Sequence, residues 1–155
     1  METTSTMSAE QAMFELSVSD AEANGVSFED FAVSAINRGV PVEVITRLRE
    51  LWNQTKEIGG ELIHIGKVIV IRIIEFLKAH PKLTASLAIG AVVYLLSSAV
   101  PLIGPWLAPI LAALATTGVL LSSASLEEAI GMAKGFFQLL IDIFNTLAER
   151  WSMSF

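Results

Sequence analysis

From Val44 onward, the positions that would share one side of a helix run Val44, Leu48, Leu51, Thr55, Ile58, Leu62, Ile65, Ile69, then Arg72 or Ile73, and Phe76. Steps of four and three alternate, and all but Thr55 and the Arg72 option are apolar. This is the seam of an amphipathic, heptad-like helix, and Ile45, Trp52, Ile63, Val70 and Leu77 widen it. Pro41 suits the first turn of such a helix. Glu43 and Arg47 stand one turn apart on its outer face. His80-Pro81 ends it, because a residue before proline avoids the α region. The pattern predicts one long helix over 41–81. Its weak point is Gly59-Gly60, where each glycine costs about 0.8–1 kcal/mol against alanine in a helix interior, so a kink or break there is plausible.

The last stretch, 125–155, repeats the same signal more cleanly. Leu126, Ile130, Ala133, Phe137, Leu140, Phe144, Leu147 and Trp151 return by four and three, while Glu127, Glu128, Lys134, Gln138, Asp142, Asn145 and Glu149 hold the opposite side. Ser125-Leu126-Glu127-Glu128 reads as a capping box at its start. Phe136, Ile141, Ile143 and Ala148 broaden the apolar face. Residues 1–40 are weaker: a short helix from about Ser8 to Leu16, a loop at Asn24-Gly25, and a helix capped by Ser27 that buries Phe28, Phe31, Ala32 and Ile36 and stops at Gly39.

Between these segments the pattern changes kind. From Leu83 to Leu126 there is no charged residue. Two apolar arms, 83–100 and 106–124, flank Pro101-Leu102-Ile103-Gly104-Pro105, a turn by its prolines and glycine. Arms of about 18–19 residues reach most of a ~30 Å hydrocarbon core at about 1.5 Å per residue. The fold class expected is therefore all-α: a membrane-inserted helical hairpin (82–124) flanked by long amphipathic helices. A buried hairpin at the centre of a soluble bundle is the alternative. Against it stand the missing charges, the modest remainder of the chain available to cover two arms, and polar residues (Thr84, Ser86, Ser97, Ser98, Thr116, Thr117, Ser122, Ser123) that bond within or between helices in lipid.

Several residues follow from the hairpin reading. Pro101, Gly104 and Pro105 make the turn, Trp106 is its interfacial anchor, and Tyr94, deep in the first arm, should face another helix. Ser86, Gly90 and Ser98 on the first arm, with Ala108, Ala112 and Thr116 on the second, have the small-residue spacing that lets helices approach closely. Lys67, Arg72, Lys78 and Lys82 precede the first arm and favour the cytoplasmic side for both termini. The opening Met1–Ser8 is polar with Glu2 where a signal peptide is basic, so insertion should be directed internally.

Composition sharpens this picture in a few places. Hydrophobic residues make up 53% and charged ones 17% of the 155, against about 25% charged in ordinary globular chains. Mean hydropathy is +0.61. The net charge of −6 lies within residues 1–40, where seven acids face Arg38 alone. No basic stripe with interleaved aromatics supports nucleic-acid binding. With no cysteine, disulfides, thiolate catalysis and Cys-metal sites are excluded. Glu57, Glu61 and His64 could share a metal by helical spacing, but three ligands on one helix read better as a solvated polar face. His80 suits a helix C-terminus, and Asp142 lies on a polar side. No triad, phosphate loop, buried carboxylate pair or intramembrane ionisable group is visible, so neither enzyme nor cofactor is expected.

The expected partners are a lipid bilayer and further copies of the chain. Self-association would use two faces that a monomer has little else to cover: Leu48, Leu51, Ile58, Leu62, Ile65 and Ile69, and Phe137, Leu140, Phe144, Leu147 and Trp151. Acidic 1–40 is a possible site for a soluble partner. The function expected first is a self-assembling scaffold that shapes a membrane. The alternative is a pore-forming or permeabilising effector with an insertable hairpin.

Overall fold

The computed structural model describes residues 7–23, 25–116 and 123–148, except the side chains of 123 and 124. Seven helices are present among them: α1 Ala9–Ala23, α2 Phe28–Asn37, α3 Val42–Trp52, α4 Ile65–Ala79, α5 Ala85–Ala99, α6 Gly104–Ala115 and α7 Ser123–Thr146. A two-stranded antiparallel hairpin, β1 Lys56–Ile58 and β2 Glu61–Ile63, joins α3 to α4. The all-helical class stands, since this hairpin is a small exception to it.

The start of α2 follows the capping logic of its sequence. Ser27 Oγ accepts the Asp30 N–H at 3.4 Å, an arrangement worth about 1 kcal/mol. At the other end Gly39, with φ +89°, lets its own N–H and that of Val40 reach the carbonyls of Ile36 and Ala35, the double closure of a Schellman turn. Pro41 then caps α3. Phe28 packs on Trp52, ring centroids 5.4 Å apart, and Arg49 lies over the Phe28 ring while pairing with Glu29. These contacts fasten α2 to α3. Ile36, expected on the buried face of α2, is exposed, and Ala35 takes its place.

The single helix expected over 41–81 is two helices with the β-hairpin between them. Gly59 and Gly60 have φ of +60° and +86°, the paired positive values that a two-residue type I′ hairpin demands. Ile58 and Ile63 stay fully buried on the inner side of the hairpin, whereas Leu62 lies opposite Glu57 and is 59% exposed. The apolar seam therefore survives the break except at Leu62, and α4 tucks tightly beneath α3. A Cβ at Gly66 would sit 1.6 Å from the Leu51 carbonyl oxygen, so only glycine permits that approach. The Gly66 N–H closes the joint on the Gln54 carbonyl at 3.0 Å.

The helices stack around α5, which packs against α4, α6 and α7. Helix α3 covers α4 and α6, while α1 lies across α4 and α7. The core is wholly apolar among the described residues, its largest enclosed side chains being Phe76, Phe137 and Phe144. Two boundaries differ from expectation: α1 continues past Leu16 to Ala23, and α7 is already helical at Ser123, ahead of the cap expected at Ser125.

Candidate functional site

The charge-free segment forms α5, a 3₁₀ turn and α6. Thr84 Oγ1 caps α5 by accepting the Leu87 N–H at 3.3 Å. The helix ends where Pro101 cannot continue it, and Asn145 of α7 donates to the Ala99 carbonyl at 3.0 Å, satisfying one of the carbonyls a helix end leaves open. Pro101–Ile103 turn the chain, and α6 leaves at 118° to α5. Gly104 and Pro105, expected in the turn, form the first two residues of α6, and Pro109 sits inside it. Trp106 is half-buried there, against the core.

The described helices are shorter than the sequence arms. Helix α5 has 15 residues and α6 has 12, about 22 Å and 18 Å at about 1.5 Å per residue. No single described helix is long and apolar enough to cross a membrane, although the bent pair passes that test by length and composition. The end of the second arm, 117–122, lies outside the described residues.

Enclosure separates the two helices. In α5, Ala85, Ala88–Val93, Leu95 and Leu96 are all buried, which covers nearly its whole circumference. Tyr94, expected against another helix, instead points outward at 51% exposure, because Val93 and Leu95 hold the inward positions beside it. In α6, Leu107, Ile110, Ala113 and Leu114 are buried while Pro105, Ala108, Pro109 and Ala112 are exposed. The six small residues thus fall apart. Gly90 is buried and Ser86 half-buried, but Ser98, Ala108, Ala112 and Thr116 are exposed. Ala112 and Thr116 line a cavity beside Glu43 and Arg47 of α3.

The hydroxyls behave largely as apolar helices require. Ser98 Oγ donates back to the Tyr94 carbonyl at 3.1 Å, and Thr116 Oγ1 to the Ala113 carbonyl at 2.8 Å. Ser97 departs from this: its Oγ is buried without a partner. Arg47, between Glu43 at 3.3 Å and Glu50 at 3.1 Å, is held above its ordinary value, first by the Glu50 hydrogen bond and charge and then by Glu43.

Both faces expected to join copies are largely satisfied within one chain. Leu48, Leu51, Ile58, Ile65, Ile69, Phe137, Leu140, Phe144 and Leu147 are buried in the same core. Leu62 faces solvent, and Trp151 lies outside the described residues. Besides Leu62 and Tyr94, the large apolar side chains exposed among the described residues are Met132, Phe136 and Leu139 on the shoulder of α7, Phe14 and Val18 of α1, Val26 before α2, Val33 and Ile36 of α2, and Val42 of α3. Of these, Phe136 and Ile36 carried a sequence signal.

Helix α1 is held by polar contacts that helix periodicity cannot reveal. The His64 N–H donates to Asp20 Oδ1 at 2.7 Å, with His64 Nδ1 2.9 Å from the same oxygen. Ser17 Oγ donates to Glu61 Oε1 at 3.0 Å, and Arg72 Nη2 to Ser19 Oγ at 3.4 Å. Glu57, Glu61 and His64 are thus spread over both strands and the loop after them. His80 caps α4, its Nδ1 3.2 Å from the Phe76 carbonyl. Asp142 accepts from Gln138 at 3.0 Å.

No protein-family model, curated protein or solved structure matches the chain. Its class rests on fold and site: an all-helical protein assembled around a charge-free helix pair.

Proposed function

We propose that this chain is a non-enzymatic membrane protein that holds its charge-free helix pair folded against its own amphipathic helices and releases it into a bilayer, permeabilising it. The observation that carries this reading is the uncharged stretch Leu83–Leu126, whose first helix is enclosed by α4, α6 and α7. In water, burying that apolar surface is worth roughly 25 cal/mol per Å². In lipid the cover becomes unnecessary, since acyl tails are as apolar as the leucines that supply it. The covering helices can then lay their apolar faces in the interface. Insertion drags no charge through the hydrocarbon, and the basic Lys67, Arg72, Lys78 and Lys82 stay on the side of entry.

The scaffold reading draws on a different observation, the exposed shoulder Met132, Phe136 and Leu139 of α7, by which inserted copies would join. Acidic 1–40 would serve a soluble partner in an adaptor.

One experiment addresses the leading reading. The chain has no cysteine, so a Tyr94→Cys variant takes a single polarity-sensitive dye at an exposed site on α5. With liposomes holding a self-quenched dye, the label should shift blue, become accessible to a lipid-borne quencher, and the contents should leak. A blue shift with tubulation and no leakage would transfer the proposal to the scaffold. A label unmoved by liposomes, with the protein still in the supernatant, would leave α5 as an ordinary core helix and end the membrane reading.

A further inference from the structure

Between α2 and α4 lies a cleft of about 370 Å³, inside the range of small-molecule sites at about 300–1,000 Å³. It exists because α2 packs on α3 and does not lie along α4. Phe31 and Ala35 of α2 and Leu77 of α4 form a buried apolar floor, extended by half-buried Ile74. The rim is polar and has a direction. Arg38 Nη2 donates to the Leu83 carbonyl at 3.4 Å, which places the guanidinium just beyond the C-terminal end of α4, where Lys78 occupies the last turn. Asp30 stands at the far end, eight residues earlier on α2, about 12 Å away at about 1.5 Å per residue.

Arg38 differs from the other described arginines. Arg47, Arg49 and Arg72 each pair with a glutamate. Arg38 and Lys78 have no carboxylate partner among the described residues, and that single long bond leaves Arg38 most of its five N–H donors. A cleft with an apolar floor, two unpaired cations at one end and a carboxylate at the other is complementary to an amphiphile with one anionic head.

We propose that this cleft binds a single-chain fatty carboxylate, its head on Arg38 and Lys78 and its tail along Phe31, Ala35, Leu77 and Ile74. Asp30 repels the head from the opposite end and so fixes the direction. The site is separate from the α5–α6 pair and holds whether or not that pair enters a membrane.

The test is calorimetric titration of dodecanoate, below its micellar concentration, into the full chain. Dodecanoate should bind saturably at one site, with acetate (head alone) and dodecanol (tail alone) at least tenfold weaker. Arg38→Ala with Lys78→Ala should weaken dodecanoate about tenfold or more, as loss of charge-assisted hydrogen bonds does. Ser34→Trp, an exposed rim position, should block the cleft while circular dichroism shows the fold intact. Absence of saturable binding, or dodecanol binding as tightly as dodecanoate, would overturn the proposal. So would dodecanoate binding that neither change moves, since the ligand would then lie outside this cleft.

Discussion

Two stretches of this chain reverse direction in mid-course, and they do so by opposite means. Between α3 and α4 the reversal is a β-hairpin turning on Gly59-Gly60, and the apolar seam runs through it, with Ile58 and Ile63 inside like their neighbours in the helices. Between α5 and α6 it is a 3₁₀ turn at Pro101, and the flanking helices are charge-free on every face. At Pro101 the proline makes the break, removing a donor and clashing with the preceding turn. Glycine only allows one, and whether the chain takes it depends on what packing is gained. At Gly59-Gly60 the gain is the close seat of Gly66 under Leu51, which a continuous helix could not supply.

That contrast can be broken most forcefully at the seat itself. Gly66→Ala should cost about 4 kcal/mol or prevent folding, because the Cβ meets backbone that cannot rotate away and losses of that size are reserved for such mechanisms. Urea unfolding at an unchanged midpoint would show that α4 does not sit beneath Leu51. Next in size is a pair within the seam. Ile58→Ala should lose about 2–4 kcal/mol as a core truncation, and Leu62→Ala under about 0.5 kcal/mol as a surface change. Equal losses would restore the continuous helix, in which both residues face inward. The smallest effect is also the sharpest, because its sign decides. In a helix, Gly60→Ala would stabilise by about 0.5–1 kcal/mol. With φ at +86° it should instead destabilise by about 1 kcal/mol, although a Cβ there meets nothing within 4 Å.

The residues that read correctly from sequence are those whose signal is local. Ser27 and Gly39 mark the ends of α2 by cap chemistry, Pro101 marks the bend, and the seams of α4 and α7 give the core from Ile65 to Phe76 and from Ala133 to Leu147. The long helix over 41–81 failed because a period of 3.5 records which side chains must be inside and leaves the backbone path between them open. A two-residue hairpin happens to return Ile63 to the same side as Ile58. Tyr94 was misread because depth along an apolar helix says nothing about which direction is covered. The fastening of α1 and the cleft at Arg38 were invisible for a related reason. Asp20 meets His64, and Arg38 comes to line one cleft with Lys78, across separations in sequence that no periodicity spans. The apolar faces from which self-association is expected lie, Leu62 apart, inside the fold among the described residues, because periodicity marks an apolar face without saying whether its cover comes from the same chain.

The fastening of α1 has a consequence for the order in which the molecule comes apart. Of its residues only Ala12, Leu16 and Ala23 are buried, so its attachment leans on the carboxylate of Asp20, the hydroxyls of Ser17 and Ser19, and their partners on the β-hairpin and α4. Segments with little buried apolar area open at the low end of the free-energy range. In native-state hydrogen exchange the amides of α1 should therefore trade with deuterium well before those of α5, and Asp20→Asn should hasten α1 while leaving α5 at its former pace. Whatever eventually uncovers the apolar centre, the first door to swing is the one hung on polar hinges.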